Sequence, residues 1–147
     1  MVKCNEVMTR DPACIEPGEG ISRAAELMKR HDVGSVPVVE SKQDQKLIGI
    51  LTDRDIVVKV LAGGGPVDRA VVRDAMTPNP AFCREDEDIQ RAVGLMSDRQ
   101  VRRMPVVDTQ GRLVGIIAQA DVATRVNRDQ TTGELVEAIS EPRTVRK

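Results

Sequence analysis

Two short apolar stretches, Val36-Pro37-Val38-Val39 and Leu47-Ile48-Gly49-Ile50, decide the fold because each occurs a second time. A shift of 68 residues places the first stretch on Met104-Pro105-Val106-Val107, and a shift of 66 places the second on Leu113-Val114-Gly115-Ile116. The stretches are brief and rich in β-branched residues, which favours strands over helices. A polar turn separates the two stretches in each copy. The pattern predicts a pair of neighbouring strands that is present twice.

The duplication extends on both sides of these strands. The further matches are Met8-Thr9 with Met76-Thr77, Pro12-Ala13 with Pro80-Ala81, Ile21 with Ile89, Ala24 with Ala92, Leu27-Met28 with Leu95-Met96, Val33 with Val101, and Asp55 with Asp121. Matches of this density in the same order are typical of internal repeats. The chain is therefore a tandem duplication of one structural unit.

Each copy predicts the element order β-α-β-β-α. A short extended piece, Pro12 to Ile15 in the first copy, precedes a helix with one apolar face. Two strands follow, and a second helix begins at Asp53 in the first copy and at Asp121 in the second. The glycine-rich segment 62–66 ends that helix in the first copy and joins the two copies.

These elements predict an α+β fold built from two motifs, residues 1–65 and residues 66–147. The second motif adds a C-terminal helix from Glu134 to Ile139, which Thr131-Thr132 caps and Pro142 ends. One motif alone covers only one face of its small sheet, so we expect the two to pack sheet against sheet. The expected result is a pseudo-two-fold pair with one shared core.

Composition excludes several classes of protein. The chain has 147 residues with a net charge of −1, so it is too short for a large multidomain enzyme and not basic enough to hold duplex DNA. It contains no Trp, no Tyr and one Phe, so it offers no aromatic platform for single-stranded nucleic acid. No apolar stretch approaches the length of a membrane span, and the charged N-terminus does not resemble a signal peptide. We expect a cytoplasmic protein that binds neither nucleic acid nor membrane.

The cysteines and the histidine are too few for a recognisable catalytic or metal site. Cys4, Cys14 and Cys83 have no paired spacing, and His31 is the only histidine. The simplest interpretation is reduced thiols on half-buried strands, with no metal and no catalytic residues. A metal-responsive or redox-responsive protein that uses these cysteines remains the alternative.

The start of each second helix carries the most specific polar pattern. Thr52 and Asp55 both lie in the first turn, where backbone N–H groups attract phosphate and a carboxylate can accept hydrogen bonds from a ribose diol. The same spacing is also that of a capping box, which needs no ligand. The second copy has Ala118 and Asp121 at these positions, so it keeps the acid and loses the hydroxyl.

Two further features lie at the starts of the first strands and at the segments before the first helices. Gly34 and Ser35 are small enough to let backbone approach a flat ligand, whereas the second copy has Arg102 and Arg103, which suit phosphate. A solvated basic turn is the alternative interpretation of these arginines. The segment from Thr9 to Ala13, with its counterpart from Thr77 to Ala81, predicts an extended edge.

These motifs resemble those of the CBS (cystathionine β-synthase) family, and the chain is similar to the stand-alone proteins with a tandem CBS pair, or Bateman module. The resemblance rests on residues 32–39 and 47–56 in the first copy and on residues 101–107 and 113–121 in the second, with the Met-Thr of each copy. It implies clefts between the motifs that bind an adenosyl compound: AMP, ADP, ATP or S-adenosylmethionine. It also implies a homodimer.

The resemblance further implies two sites that each draw on both motifs. One site uses Asp121 for the ribose, Arg102 and Arg103 for phosphate, and Ala13, Val33, Gly34 and Ser35 around the base. The other uses Thr52 and Asp55, with Ile50, Ala81, Val101 and the Arg102 backbone lining the base, and we expect it to be the tighter of the two. Ala118 departs from the usual hydroxyl residue, which weakens the expected phosphate contact at the first site.

The function hypothesis is a regulatory module that senses an adenosyl ligand without catalysis and without a required cofactor, and that acts on a protein partner not identifiable from the sequence. The alternatives are a ligand-free interaction module and the metal-responsive or redox-responsive protein.

Overall fold

The computed structural model describes residues 1–125. They form two compact units: a central unit of residues 13–80 and 111–113, and a terminal unit of residues 1–12, 81–110 and 114–125. The units do not coincide with the sequence copies, because residues 1–12 fold with the second copy. A domain boundary at 65/66 stays a prediction, and the predicted helix from Glu134 to Ile139 lies outside the described residues.

Helices and strands alternate along the chain. Their order is α1 (Cys4–Val7), β1 (Thr9–Arg10), α2 (Ile21–His31), β2 (Ser35–Val39), β3 (Leu47–Thr52), α3 (Asp53–Asp55), β4 (Thr77–Pro78), β5 (Cys83–Arg84), α4 (Ile89–Arg99), β6 (Arg103–Val107), β7 (Leu113–Ala118) and α5 (Gln119–Arg125). A π-helix over Ile56–Leu61 continues α3, and 3₁₀-helices at Val67–Arg69 and Val72–Asp74 precede β4. This mixture of helices with two separate sheets confirms the predicted α+β class.

The terminal unit contains a four-stranded sheet in the order β1-β7-β6-β5. β1 pairs with β7 in the antiparallel direction, with Thr9 opposite Ile116. At the other edge β5 pairs with β6 in parallel, with Cys83 opposite Val106. The N-terminal Met-Thr segment is thus an edge strand on the sheet of the second copy.

The central unit contains a three-stranded sheet in the order β2-β3-β4. Ser35 lies opposite Thr52, and Thr77 lies opposite Ile50, both in antiparallel pairs. Ile15 forms a single parallel bridge with Val38, which corresponds to the pairing of β5 with β6 in the terminal unit. The predicted extended piece before each first helix is therefore present in both units.

The backbone repeats the duplication at positions with positive φ. Asp32 (φ 53°) and Gln100 (φ 54°) end α2 and α4, and they are equivalent at the shift of 68 residues. Asp11 (φ 50°) and Asn79 (φ 51°) are equivalent at the same shift. Asp and Asn tolerate the left-handed conformation because their short polar side chains can hydrogen-bond locally. The duplication is thus preserved in backbone geometry as well as in residue type.

Each long helix buries one stripe of apolar residues. In α2 the buried residues are Ile21, Ala24, Leu27 and Met28, and in α4 they are Ile89, Ala92 and Met96. Their three-to-four-residue spacing is that of one helical face, as the sequence predicts. Within residues 1–125, no helix is long and apolar enough to cross a membrane.

Most of the buried apolar residues in the described part of the chain form two clusters, one in each unit. A core shared by the two copies stays a prediction. The central cluster includes Ile15, Ile21, Val36 and Leu51, and the terminal cluster includes Cys4, Val7, Cys83, Ile89 and Ile117. Each unit has its own long helix and sheet to bury, and the N-terminal segment adds Cys4 and Val7 to the terminal cluster. Each unit therefore has a buried cluster of its own.

Candidate ligand-binding site

In the central unit, Thr52 and Asp55 form a reciprocal capping pair where β3 ends and α3 begins. The backbone N–H of Asp55 donates to the Thr52 hydroxyl oxygen at 3.0 Å, and the backbone N–H of Thr52 donates to Asp55 Oδ2 at 2.9 Å. These two bonds satisfy N–H groups that the start of a helix leaves without intrahelical partners. The capping function is therefore present, and it fixes the position of the carboxylate.

Lys59 holds the second oxygen of the same carboxylate. Its ammonium group lies 3.2 Å from Asp55 Oδ1 and donates to the carbonyl oxygen of Ala75 at 3.0 Å. The Asp55 side chain is 13% exposed and the Lys59 side chain 44% exposed. Both oxygens of Asp55 are thus engaged, although a carboxylate has about four acceptor positions and keeps two for a ligand. The sequence reasoning missed Lys59, although its spacing of four residues from Asp55 was a usable signal.

In the terminal unit, Asp121 keeps half of this arrangement. The backbone N–H of Ala118 donates to Asp121 Oδ2 at 3.0 Å, as Thr52 does to Asp55. Ala118 has no hydroxyl, and instead the Thr9 hydroxyl donates to the same Oδ2 at 3.4 Å. Thr9 comes from β1, at the edge of the sheet beside β7. The N-terminal strand therefore brings a hydroxyl to Asp121.

The first-strand starts differ in charge between the two units. In the central unit the Asp53 N–H donates to the Gly34 carbonyl oxygen at 2.9 Å, and Asp53 Oδ2 lies 3.1 Å from the position a β-carbon on Gly34 would occupy. In the terminal unit the Gln119 N–H donates to the Arg102 carbonyl oxygen, also at 2.9 Å. The same backbone contact thus has a carboxylate beside it in one unit and an arginine in the other.

The arginines are available for an anion within the described part of the chain. Arg102 is exposed and Arg103 is half-buried at the start of β6. Among residues 1–125 neither side chain forms an ion pair or a hydrogen bond with another side chain. This placement is compatible with the predicted phosphate contact and equally with a solvated basic turn.

The predicted site residues divide between the two units. Ala13, Val33, Gly34, Ser35, Ile50, Thr52 and Asp55 belong to the central unit, and Ala81, Val101, Arg102, Arg103 and Asp121 belong to the terminal unit. Within the central unit the structure brings Thr52 against Asp55 and Asp53 against Gly34, and within the terminal unit it brings Thr9 against Asp121. The assignment of residues from both units to one ligand stays a prediction.

Two of the three thiols meet in the core of the terminal unit. Cys4 and Cys83 are fully buried, and the Cys4 thiol donates to the Asp88 carbonyl oxygen at 4.0 Å. The neighbouring Cys83 thiol and burial raise the pKa of Cys4 well above its ordinary value, while Cys4 lowers the pKa of Cys83. Cys14 is half-buried beside the Gln45 side-chain oxygen at 3.8 Å, and burial raises its pKa. Within residues 1–125 no three His, Cys, Asp or Glu residues are grouped to hold a metal ion.

Comparison with known proteins decides the family. The family model described as the CBS domain matches the chain twice, at residues 4–62 and 72–128. The chain belongs to the CBS-domain family. The tandem CBS resemblance drawn from the sequence is thereby confirmed.

Relatives of this CBS pair include proteins of similar length. It is 38% identical over 144 residues to CBS domain-containing protein YhcV of Bacillus subtilis, covering 95% of this chain and 96% of that protein. It is 33% identical over 142 residues to Hypoxic response protein 1 of Mycobacterium tuberculosis, covering 97% and 96%. It spans 61% of protein MK0525 of Methanopyrus kandleri, at 38% identity, and 23% of inosine-5′-monophosphate dehydrogenase of Methanocaldococcus jannaschii, at 32% identity.

Solved structures of CBS pairs share the fold. Hypoxic Response Protein I with two coordinated zinc ions superposes with a TM-score of 0.74 at 34% identity, over 84% of this chain and 98% of that one. CBSX2 in complex with AMP gives 0.74 at 26% identity, over 87% and 100%. The CBS pair of protein MJ0100 in complex with 5-methylthioadenosine and S-adenosyl-L-methionine gives 0.71 at 25% identity, over 84% and 94%.

Proposed function

We propose that this CBS pair is a regulatory module that binds an adenosyl compound and catalyses no reaction. The observation that carries the proposal is a carboxylate repeated in both units. Asp55 and Asp121 each accept a backbone N–H from the residue three positions earlier, at 2.9 Å and 3.0 Å. A carboxylate held in this way at the start of a helix is pre-positioned to accept the two hydroxyls of a ribose diol. The AMP and S-adenosylmethionine complexes of similar CBS pairs support this ligand class.

The proposed residues follow the sequence prediction. One site uses Thr52, Asp55 and Ile50, with Ala81, Val101 and the Arg102 backbone. The other uses Asp121 with Arg102, Arg103, Ala13, Val33, Gly34 and Ser35, to which Thr9 is added through its contact with Asp121. AMP, ADP, ATP and S-adenosylmethionine are the candidate ligands, as regulatory ligands and not as cofactors.

A ligand-free interaction module is the second candidate, and one observation favours it. Asp55 is already engaged by Thr52 and Lys59, so this helix start is satisfied without any ligand. In that case Asp55 and Asp121 serve as caps alone, and their removal lowers stability without changing any binding of nucleotide.

Absorbance and calorimetry distinguish the two functions. Because the chain has no Trp and no Tyr, a band near 260 nm from the purified protein reports bound adenine directly. Titration calorimetry with AMP, ATP and S-adenosylmethionine is then compared between the wild type and Asp55→Asn/Asp121→Asn. Sensing predicts heat of binding in the wild type and its loss in the double variant.

A matched control separates the loss of a ligand contact from the loss of a cap. Asp74 accepts the backbone N–H of Val71 at 3.2 Å, so it has the same capping role but is not one of the proposed site residues. Asp74→Asn is expected to keep ligand binding. No binding of the three ligands to folded wild type at millimolar concentration would contradict the sensing function and favour the interaction module.

We also propose a cytoplasmic homodimer with a further protein partner. Three large apolar side chains are exposed along the π-helix: Val57 (54%), Val58 (47%) and Leu61 (56%). An apolar group of this kind on one helix is typical of an interaction surface. Leu61→Asp should shift the sedimentation of the protein from dimer to monomer, whereas Val67→Asp, on the separate 3₁₀-helix at Val67–Arg69, should leave it unchanged. A wild type that sediments as a monomer would contradict the dimer.

A further inference from the structure

The charged side chains beside the two proposed sites differ at two pairs of equivalent positions. Asp53 corresponds to Gln119 at the shift of 66 residues, and Gly34 corresponds to Arg102 at the shift of 68. Each pair is joined by the same backbone hydrogen bond of 2.9 Å. The backbone contact is thus the same in both units, but the central unit carries the Asp53 carboxylate beside it and the terminal unit carries the Arg102 guanidinium group.

The Asp53 carboxylate has a defined position. Its Oδ1 accepts the backbone N–H of Arg54 at 2.8 Å, and its Oδ2 lies 3.1 Å from the place that a β-carbon on Gly34 would take. Among residues 1–125 no Lys, Arg or His side chain forms an ion pair with Asp53. Lys59 forms its ion pair with Asp55. Gly34 leaves room for this carboxylate, which a larger residue would displace.

We propose that Asp53 limits the number of phosphates that the Thr52/Asp55 site accepts, so that this site selects adenosyl ligands with at most one phosphate or with a cationic group. The proposal rests on the proposed function, because it assumes that Asp55 binds the ribose. Arg102 and Arg103 have the opposite effect at the Asp121 site and favour the phosphate-rich ligands. The two sites of one CBS pair therefore differ in ligand class.

The expected effect is electrostatic and acts without direct contact. Asp53 is two residues from Asp55, so its charge lies near a nucleotide held at Asp55 and acts on its 5′ phosphates over the Debye length, about 10 Å at 0.1 M salt. A unit charge about 8 Å away through a medium close to water changes binding about twofold to threefold. ATP carries about two more negative charges than AMP, so the expected discrimination at low salt is about fourfold to ninefold.

The experiment compares AMP, ATP and S-adenosylmethionine by titration calorimetry in an Asp121→Asn background, which leaves the Thr52/Asp55 site to be measured. Asp53→Gln introduces the neutral residue of the other unit. The expected result at low salt is an ATP affinity about fourfold to ninefold higher relative to AMP and a weaker preference for S-adenosylmethionine, with little effect at 0.5 M salt. Asp68→Asn removes an exposed acid from the 3₁₀-helix at Val67–Arg69 and is the matched control for net charge.

A reciprocal variant, Gln119→Asp, tests the same effect if Asp53→Gln does not fold. Gln119→Asp, in an Asp55→Asn background, should lower the ATP affinity relative to AMP by a similar factor. An unchanged ATP-to-AMP ratio in the folded variants, or an equal change in Asp68→Asn, overturns the role of Asp53 while adenosyl binding itself stands. Failure of the wild type to bind any of the three ligands overturns the proposed function and this inference with it.

Discussion

Met8 packs directly against Gly115 in the terminal unit, because β1 follows Met8 and lies beside β7. A β-carbon on Gly115 would stand 2.8 Å from Met8 Cγ and 3.0 Å from the Thr9 carbonyl oxygen. In the central unit the equivalent β-carbon on Gly49 would stand 2.9 Å from Met76 Sδ and 3.1 Å from the Thr77 carbonyl oxygen. The Met-Thr pair and the strand glycine of each repeat are therefore one packing unit.

Gly115→Ala should destabilise the protein by about 1–3 kcal/mol, because the added methyl group forces Met8 or β1 away from the sheet. Gly49→Ala should have a similar effect through Met76. Urea unfolding measures both free energies of unfolding. Gly94→Ala is the control, since nothing lies within 4 Å of a β-carbon there, and alanine in exposed helix should stabilise by about 0.5–1 kcal/mol. Equal effects at positions 94 and 115 would contradict the packing argument.

Thr52→Ala should lower the free energy of unfolding by about 1 kcal/mol, because the Asp55 N–H then loses its acceptor. Thermal or urea unfolding gives the value. The second unit provides the control, since Ala118 already lacks this hydroxyl and Ala118→Ser should not lower the stability. A Thr52→Ala variant with an unchanged free energy of unfolding would show that the hydroxyl contributes nothing as a cap.

Lys59→Met should free Asp55 Oδ1 and leave Ala75 without its side-chain donor. Because the lysine is 44% exposed, we expect a loss of only about 0.5–1 kcal/mol in the free energy of unfolding. The electrostatic part of the loss should shrink at high salt, which unfolding in 0.05 M and 1 M NaCl measures. Arg23→Met, at the exposed pair with Glu26, is the control and should change the stability less. Equal losses in both salts would contradict an electrostatic contribution.

Raising the pH above about 9 should weaken the fold through the buried thiols. The unfolded chain releases the Cys4 proton near the ordinary pKa of 9.0, whereas the folded chain keeps it, because the neighbouring Cys83 thiol and burial raise the folded-state pKa. The pKa of Cys83 is lowered, so above pH 9 this thiol is deprotonated in both states and adds no slope. The folded state then binds more protons than the unfolded state, so the free energy of unfolding falls with pH by up to about 1.4 kcal/mol per unit.

Urea unfolding at several pH values from 8 to 10.5 measures this slope. Cys4→Ala/Cys83→Ala should flatten it, whereas Cys14→Ala should remove only the smaller contribution of one half-buried thiol. A slope that is the same in the wild type and the Cys4/Cys83 double variant would show that other groups control the alkaline limit.

The sequence by itself determined the elements that depend on local pattern. Spacing of three to four residues predicted α2 and α4 with their buried faces, and β-branched stretches predicted the strands β2, β3, β6 and β7. Internal comparison predicted the duplication and the paired acids Asp55 and Asp121. Helices and strands could be predicted because each depends on residues close in sequence, and the duplication could be predicted because the two copies can be compared directly.

Only the tertiary structure decided which distant segments meet. β1 has two residues, and no pattern in so short a strand selects β7 as its partner or places residues 1–12 with the second copy. The same holds for the Cys4–Cys83 pair and for the Thr9 hydroxyl at Asp121. Such contacts depend on how whole elements pack, and the buried cluster within each unit depends on the same packing. The contact between Asp53 and Gly34 is another example, because the start of β2 and the end of β3 meet only in the folded chain.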